Sequence, residues 1–325
     1  MGVTAELVPL EAVFFLVMSQ PLVNLRTYAL DPFWDDDHGT QLWLWRRQAG
    51  KSYTAASKAL RRMMMVKGLS SFFVSASVAL GTEFVRKEAE VWAKVIEETR
   101  IRALTAKQEL HTYSNEKGKS LEFDFHDLDA LCEVFESQKL ETRIYHTRTT
   151  YSRSRVIAPN PATAVGWTGD IWMDEVGRMP DFKDVLEAVL PFMSSNPLYR
   201  LLMITTPPPD DQHYSWEIFA PKNDTLFTPN PRGNYYTSEA GYRVHRVDAW
   251  DAYAADIPLF DDVTRQAMTP EEHRLAAYDK TAWDRNFGLK FVTGGQAAIS
   301  LDDLRHAMAT PAQGLALDIT DQLSL

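Results

Sequence analysis

Apolar residues along the chain are concentrated in short, nearly continuous runs that are bounded by turn residues. Runs of this length predict buried strands, because a buried helix is usually longer. The predicted strands lie at residues 41–45 (QLWLW), 70–77 (SSFFVSAS), 169–175 (GDIWMDE) and 199–206 (YRLLMITT). Two further segments, 120–125 (SLEFDF) and 143–149 (RIYHTRT), alternate apolar and polar residues with the period of a strand.

Segments of helical composition lie between these runs. Helices are predicted over residues 52–66, 82–104 and 181–193. The first of them ends just before Gly68, and glycine is typical of a helix C-terminus. Strands that alternate with helices in this way predict an α/β fold with a mainly parallel central sheet.

The pattern changes after about residue 245. The sequence TPEE at 269–272 combines an N-cap threonine, a proline at the first helical position and a glutamate at the third. SLDD at 300–303 has a serine and an aspartate at the same spacing. We therefore predict a large α/β domain over residues 1–245 and a small, mostly helical unit over 246–313.

Composition narrows the class of protein. Of the 325 residues, 45% are hydrophobic and 24% are charged, which is typical of a globular protein. Cys132 is the only cysteine, so an internal disulfide is excluded and a reducing, intracellular setting is indicated. The longest apolar run, AVFFLVM at 12–18, falls far short of the roughly 20 residues that span a membrane.

The charge balance argues against tight binding of nucleic acid by the chain alone. The formal net charge is −10, and affinity for DNA comes largely from neutralising phosphates with Lys and Arg. Residues 142–158 form a local exception, with Arg143, Arg148, Arg153 and Arg155 and no acid. This segment is either a local DNA-binding patch or the solvated face of a hairpin.

The stretch LWLWRRQAGKSY at 42–53 contains a candidate phosphate-binding loop. Gly50, Lys51 and Ser52 fit the end of G-x-x-x-x-G-K-[ST], but Trp45 stands where the first glycine belongs. A strand precedes them and a helix follows, which places them at a helix N-terminus that favours phosphate. Lys51 would then reach the β- and γ-phosphates, and Ser52 would bind Mg²⁺. The alternative is a surface turn before an ordinary helix.

Two acids follow the predicted strand at 169–175. In an NTPase, an acid at the end of a strand that neighbours the loop strand holds Mg²⁺, and a second carboxylate aligns or deprotonates water. Asp174 and Glu175 fit these roles in that order. The alternative is a strand that simply ends in two solvated acids.

A pair of hydroxyl groups follows the strand at 199–206. MITTPPP places Thr205 and Thr206 at the C-terminal edge of the sheet, where ligands of α/β proteins bind. Such a pair can sense a γ-phosphate. The alternative is a strand end followed by a rigid, proline-rich exit.

Taken in chain order, these stretches resemble the ATPase domain of a phage terminase large subunit, the motor that packages DNA. The stretches are RRQAGKS, VSAS, NPATAVGWTGDIWMDEVGRM and MITTPPP, and the resemblance covers roughly residues 20–313. It implies a P-loop NTPase fold of the ASCE/RecA-like type, in three layers. The family tolerates loss of the first loop glycine and carries an arginine three residues before the conserved glycine. That arginine is Arg47 here, and the family implies that it contacts phosphate and couples hydrolysis to movement.

The resemblance implies a Mg²⁺-dependent ATP hydrolase. Lys51 and Arg47 would stabilise charge, Ser52 and Asp174 would hold the metal, and Glu175 would act as base. Thr205 or Thr206 would couple the state of the γ-phosphate to domain motion. The nucleotide-binding loop would comprise Arg46, Arg47, Gln48, Ala49, Gly50, Lys51 and Ser52.

The resemblance also implies partners. The motor would move double-stranded DNA into a procapsid in the host cytoplasm, as a ring on the portal protein together with the small terminase subunit. Residues 246–313 would be the family's linker. Residues 314–325 would be the start of a truncated RNase-H-like nuclease domain, because GLALDI, with Asp318, resembles the first strand of that domain in the family. A two-metal nuclease needs several converging carboxylates, so no nuclease activity is expected.

One departure from the family leaves a role unassigned. Many members have an arginine before the acid-bearing strand, as a candidate finger acting on a neighbour's ATP, but Val165 stands there. Arg153, Arg155 and Arg178 are possible substitutes, and the sequence does not choose among them.

Recognition of the base is also open. The aromatic residues Tyr28, Phe33 and Trp34 lie upstream of the loop and can stack on adenine, although packing is the more common use of each. Two alternative functions remain at this stage. One is another helicase- or translocase-like P-loop ATPase, and the other is a non-catalytic DNA- or capsid-binding module with a vestigial loop.

Overall fold

The structure is a computed structural model that describes residues 22–117, 135–147, 149–160, 167–222 and 226–291. Several sequence predictions fall outside these residues and are not addressed further by it. They concern the strand at 120–125, the residues Arg148, Val165 and Asp318, and the segments 300–303 and 314–322.

Nine strands form one sheet. They are β1 (Thr40–Trp45), β2 (Ser70–Ser75), β3 (Phe135–Gln138), β4 (Glu141–Tyr145), β5 (Tyr151–Ile157), β6 (Asp170–Asp174), β7 (Leu201–Thr205), β8 (Asn234–Thr237) and β9 (Arg243–Val247). Their spatial order is β3-β4-β5-β2-β6-β7-β1-β9-β8. The six strands from β5 to β9 pair in parallel, and the strands beyond them at both edges pair antiparallel. The predicted α/β fold with a mainly parallel sheet is confirmed.

One prediction about the sheet is wrong. We expected the acid-bearing strand to neighbour the strand that leads into the candidate loop, but β7 lies between β1 and β6. Leu201 pairs with Thr40 of β1 on one side and with Ile171 of β6 on the other. All five residues of β7 are buried, and a strand that is apolar on both faces is suited to such a central position.

Eight α-helices are described, several of them short. They are α1 (Thr27–Trp34), α2 (Lys51–Met65), α3 (Val78–Lys117), α4 (Phe182–Val189), α5 (Ser215–Phe219), α6 (Ala249–Ala254), α7 (Pro270–Ala276) and α8 (Lys280–Asn286). The predicted helix at 181–193 is split into α4 and a 3-10 turn, Leu190–Met193, because Pro191 lacks the N–H that would continue the helix. None of the described helices combines the length and apolar composition needed to cross a membrane.

Helices cover both faces of the sheet. Alternate residues of a strand point to opposite faces, so Leu42 and Leu44 of β1 pack in a core with α4, and Trp43 and Trp45 pack in a second core with α1 and α2. The layers are therefore helix, sheet and helix, as the resemblance implied.

The segment after the sheet forms a small helical unit, which we define as residues 249–291. It contains α6–α8, the hairpin of β10 (Leu259–Phe260) with β11 (Ala267–Met268), and a core around Trp283. The predicted start of α7 is confirmed, since Thr269 and Glu272 form a capping box. The sheet itself continues through β9 to Val247, which pairs with Trp45, so β9 crosses the predicted boundary at 245/246.

Candidate functional site

A tight loop joins β1 to α2, and its backbone is shaped to bind an anion. Gln48 has a φ of 58° and Gly50 a φ of 81°, both in the left-handed region. Left-handed residues within such a turn aim successive N–H groups into one concavity, a nest that binds anions. Glycine adopts this conformation at little cost, which explains Gly50. The concavity lies where the sequence predicted a phosphate site.

The donors of this concavity are free. The N–H groups of Gln48, Gly50, Lys51 and Ser52 donate to no acceptor within the described residues. The first N–H groups of a helix have no partner inside the helix, and the helix dipole adds positive potential there. A phosphate bound at this point would accept hydrogen bonds from several of these N–H groups at once.

Trp45 does not enter the loop. Its side chain is fully buried, its ring stacks on Trp43 with centroids 4.8 Å apart, and Nε1 donates to Nδ1 of His245 over 2.9 Å. The residue belongs to the end of β1 rather than to the turn. The missing first glycine therefore leaves the concavity at Gln48 and Gly50 intact.

The Lys51 ammonium lies at the centre of the site. Its Nζ donates to Trp45 O over 3.0 Å and lies 3.7 Å from Oε1 of Glu175. Burial lowers the pKa of Lys51, and the carboxylates of Glu175 and Asp174 act in the opposite direction. The site thus holds a buried cation beside two acids.

The first turn of α2 contacts the end of β6 across β7. Ser52 Oγ donates to Oδ2 of Asp174 over 2.9 Å, and the Glu175 N–H donates to Oδ1 of the same carboxylate. Burial raises the pKa of Asp174 to about 6, with the Glu175 charge as the next cause. Hydroxyl and carboxylate oxygens are the ligands that Mg²⁺ prefers, so this pair fits a Mg²⁺ site.

The backbone of Glu175 has an uncommon conformation. Its φ is 54°, a left-handed conformation that is uncommon for residues other than glycine. Its Oε2 is buried and has no hydrogen-bond partner within the described residues. Strain and unpaired polar atoms of this kind concentrate at functional sites.

The predicted hydroxyl pair lies at the C-terminal end of β7, where Thr205 is the last residue and Thr206 follows. Thr205 Oγ1 accepts from the Gly177 N–H over 2.9 Å and donates to Thr206 O over 2.7 Å, and both threonines are buried. A Cβ on Gly177 would approach Thr205 Oγ1 to 2.7 Å, so only glycine permits this contact. The Thr205 hydroxyl is therefore bonded to the turn that follows Glu175.

Among the loop residues, Arg46 is bonded to two backbone carbonyl groups. Its side chain is buried and donates to Arg47 O and to Ile257 O of the helical unit. The side chain thus links the loop to the helical unit. Ala49 is buried, and its carbonyl accepts from the Tyr28 hydroxyl. Arg47 and Gln48 are exposed at the loop.

The aromatic residues upstream of the loop are used in packing. Tyr28 is fully buried and packs edge-on against Trp45. Phe33 is buried, and the exposed Trp34 lies under the guanidinium of Arg61 at 4.7 Å from the ring centroid. For all three aromatic residues, packing was expected more often than stacking on adenine.

The basic stretch at 142–158 is partly neutralised by neighbouring acids. Arg143 Nε lies 2.6 Å from Glu141, and Arg155 lies 4.0 Å from the same carboxylate. Arg153 and Arg155 also lie over the ring of Trp167, at 6.0 and 5.2 Å from its centroid. Glu141 directly precedes the stretch in sequence, and the strand pairing brings it beside Arg155.

Sequence reasoning missed two groups that hold the loop. Arg26 donates to Gln48 O over 2.9 Å, and its guanidinium lies 3.9 Å from the place of a Cβ on Gly50. Asn286 O accepts from the Arg47 N–H over 3.0 Å. Neither residue belongs to a motif, so no local signal could have identified them.

The comparisons with known proteins bear on the fold. No family model and no curated protein matches the sequence. Among solved structures, the large terminase ATPase domain of Thermus phage P74-26 aligns with a TM-score of 0.51 and 17% identity, covering 88% of this chain and all of that one. The chain has the fold of a phage large terminase ATPase domain.

Two further structures align with most of this chain, and one of them, a second form of the P74-26 domain, gives the same result. A point-mutant form of the P74-26 domain aligns with a TM-score of 0.52 and 17% identity, over 87% of this chain and 99% of that one. The HK97 bacteriophage large terminase aligns with a TM-score of 0.48 and 13% identity, over 86% of this chain and 54% of that one. The resemblance seen in the sequence motifs is confirmed at the level of the fold.

Proposed function

We propose that this chain is the ATPase of a viral DNA-packaging motor and hydrolyses ATP with Mg²⁺ at the β1–α2 loop. The observation that carries the proposal is the contact of Ser52 with Asp174 at 2.9 Å, beside the Lys51–Glu175 pair. The contact brings a helix N-terminus, a cation and two acids to one edge of the sheet. That is the set of groups that phosphoryl transfer to water requires.

The loop holds the phosphates in this proposal. The free N–H groups at Gly50, Lys51 and Ser52 bind phosphate oxygens, and Lys51 turns from Trp45 O to the terminal phosphates. Ser52 Oγ and Asp174 are the residues that would hold Mg²⁺. Bound Mg²⁺ supplies positive charge that offsets the charge developing on the transferred phosphoryl group.

Glu175 orients and deprotonates the attacking water. Its Oε2 has no hydrogen-bond partner within the described residues and is available to accept the proton of that water. The Lys51 ammonium lies 3.7 Å from Oε1. Arg47, an exposed residue of the loop, stabilises negative charge on the terminal phosphate. Thr205 reports the state of this site indirectly, through its bond to the turn that follows Glu175.

The proposed motor role is supported by the fold and not by an identified surface for DNA or a partner protein. We propose that a ring of these chains, on a portal protein and with a small terminase subunit, moves double-stranded DNA into a procapsid in the host cytoplasm. The net charge of −10 predicts weak DNA binding by the chain alone, which should be lost at about 200 mM salt.

The alternatives that the sequence left open gain no support from the site. A vestigial loop has no need to retain a buried lysine, a hydroxyl–carboxylate contact and an acid with a free oxygen in one place. A helicase-like ATPase outside the terminases has no specific observation in its favour.

The test is binding of Mg-ATPγS, measured by calorimetry on the wild type, Lys51→Ala and Lys67→Ala. Lys67 is an exposed lysine just beyond the far end of α2, so its variant removes the same charge away from the site. We expect Lys51→Ala to abolish binding and Lys67→Ala to retain it. A folded wild type that binds no nucleotide, or a Lys51→Ala that binds normally, would overturn the proposal.

A further inference from the structure

The turn that follows Glu175 is bonded to two side chains from outside the turn. Gly177 N donates to Thr205 Oγ1 over 2.9 Å. At the end of the turn, Met179 O lies 3.0 Å from Nε2 of His213, which belongs to the segment between β7 and α5. These contacts fix the backbone of the turn at two points.

The neighbours of His213 determine which of its ring nitrogens carries the proton. A carbonyl oxygen can only accept a hydrogen bond, so Nε2 donates to Met179 O. Nδ1 is then the acceptor of the neutral ring. It lies 2.8 Å from Ser215 Oγ and 3.2 Å from Ser215 N, and both of these groups donate to it. The imidazole is thus a neutral ring that donates to the turn.

The His213 ring is held in one orientation. It lies nearly parallel to the ring of Phe182, with an interplanar angle of 11° and centroids 6.1 Å apart. His213 N donates to Asp210 Oδ1 over 3.2 Å, and His213 O accepts from Trp216 N over 2.8 Å at the start of α5. The donor is therefore fixed to α4 and to the segment that leads into α5.

The turn begins with a residue that needs support from its surroundings. Glu175 has a φ of 54°, and such a backbone persists in a residue other than glycine only where the surrounding structure imposes it. Within the turn, Arg178 N donates to Glu175 O over 2.9 Å, and Met179 N donates to Val176 O over 3.2 Å. A short hydrogen-bonded turn therefore links the Met179 carbonyl to the Glu175 backbone.

The position of the Glu175 carboxylate depends on this backbone. Its Oε1 lies 3.7 Å from Lys51 Nζ, and its Oε2 is buried with no hydrogen-bond partner in the part of the chain that the structure describes. No described side chain holds Oε2 in place. The direction of that oxygen is therefore set by the turn that carries Glu175.

We propose that His213 is a positioning residue for ATP hydrolysis, because its bond to Met179 O holds the turn in the conformation that directs Glu175 at the attacking water. The inference rests on the proposed function, in which Glu175 is the base. His213 acts through Glu175 and exchanges no proton with the substrate. A displacement of about 1 Å near a reacting group can cost about a hundredfold in rate, so loss of the bond should lower turnover and leave nucleotide affinity unchanged.

The test measures ATP turnover and Mg-ATPγS binding on His213→Phe and His213→Gln. Phenylalanine keeps a flat ring beside Phe182 and has no N–H, whereas the amide of glutamine can donate to Met179 O. We expect His213→Phe to lower kcat by about tenfold to a hundredfold and to keep the Kd for ATPγS within about twofold. His213→Gln should recover most of the lost turnover.

His38→Phe is the matched control. His38 is an exposed histidine that precedes β1, at the end of that strand opposite to the loop. Its variant makes the same replacement away from the turn and should hydrolyse ATP at the wild-type rate.

A double variant distinguishes positioning from a general loss of structure. If His213 acts through Glu175, His213→Phe should lower single-turnover hydrolysis in the wild-type background and should cost no more than about twofold in the Glu175→Gln background. Equal fractional losses in the two backgrounds would overturn the proposal, because His213 would then act independently of Glu175.

The remaining outcomes separate this proposal from the one on which it rests. Loss of turnover in Glu175→Gln together with normal kcat in His213→Phe overturns the role of His213 alone. So does a His213→Gln that is as slow as His213→Phe, or a His213→Phe that loses ATPγS binding as well as turnover. A wild type without ATP turnover overturns both proposals.

Discussion

Trp45 Nε1 donates a hydrogen bond to Nδ1 of His245 over 2.9 Å, between the adjacent parallel strands β1 and β9. The other ring nitrogen of His245 lies 2.9 Å from Arg232 O, to which it donates, so the imidazole is neutral. Burial lowers the pKa of His245 to about 4, in keeping with that state. The residue that replaces the usual loop glycine is thus a fixed part of the core.

Replacing Trp45 with the glycine of the usual loop should therefore lower the stability of the protein. Trp45→Gly removes a fully buried ring and leaves His245 Nδ1 without its donor. We expect the free energy of unfolding to fall by about 3–5 kcal/mol, the usual cost of deleting a large buried aromatic side chain. Urea unfolding at neutral pH measures it.

Trp34→Ala is the matched control for this prediction. Trp34 is 60% exposed and contacts Arg61 at the surface, so its variant should lose no more than about 1 kcal/mol. Tighter nucleotide binding by a fully stable Trp45→Gly would contradict our account of this position.

Ser52 and Asp174 should both contribute to the binding of a single Mg²⁺ ion. Ser52→Ala and Asp174→Asn should each weaken Mg-ATPγS binding by about tenfold to a hundredfold, the cost of losing a charge-assisted contact. The double variant should lose less than the sum of the two, because both residues serve the same ion. Calorimetry with and without Mg²⁺ measures the cycle.

Asp184→Asn is the control, because Asp184 is an exposed aspartate on α4 and its variant removes the same negative charge away from the site. It should bind as the wild type does. Strictly additive losses at Ser52 and Asp174, or equal losses in the absence of Mg²⁺, would show that the two residues do not share a metal.

Glu175→Gln should separate turnover from binding. An amide cannot take the proton of water, so we expect hydrolysis to fall by about 10²–10⁴-fold, the usual contribution of a general base. Binding of Mg-ATPγS should persist, since the loop donors and Lys51 remain. Phosphate release in steady state measures the first and calorimetry the second.

Glu187→Gln, an exposed acid on α4, should hydrolyse ATP at the wild-type rate. A protein with no turnover in any variant would favour the non-catalytic module. Normal turnover by Glu175→Gln would assign the base elsewhere.

Glu88 should make stability depend on pH. It is fully buried on α3, accepts from the Thr142 hydroxyl over 2.7 Å, and burial raises its pKa to about 8 from an ordinary value of 4.5. Between these values the folded chain holds a proton that the unfolded chain releases. The contribution of Glu88 to the free energy of unfolding therefore falls as pH rises through this window, by up to about 1.4 kcal/mol per pH unit.

Glu88→Gln removes this titration and keeps an uncharged side chain. Its stability relative to the wild type should rise between about pH 5 and about pH 8, measured by urea unfolding. Glu97→Gln, on the same helix but exposed, should show no such trend. A constant difference between Glu88→Gln and the wild type across this range would show that Glu88 is already ionised in the folded protein.

Some features of the molecule could be predicted because they depend on residues close together in the chain. The strands β1, β2, β6 and β7 follow from local runs of apolar residues, and the start of α7 follows from the side chains of Thr269 and Glu272. The position of Gly50 between a strand and a helix follows likewise, because the left-handed turn it occupies is local backbone chemistry.

Other features could not be predicted, because they depend on contacts between segments that are distant in the sequence. No local pattern in the sequence indicates that β7 lies between β1 and β6. None indicates that the Thr205 hydroxyl accepts from the Gly177 N–H, or that the Arg46 side chain donates to Ile257 O. Each is set by which elements become neighbours in the sheet and at its edge.

The sequence by itself determined the layered α/β class, the loop at Gly50 and the acids at the end of β6, since periodicity and turn chemistry act over a few residues. Tertiary structure alone decided that Trp45 belongs to the core, that Ser52 reaches Asp174 across β7, and that Asn286 holds the loop. The physical reason is that hydrogen bonds and burial between distant segments depend on strand order and packing, which no short stretch of sequence encodes.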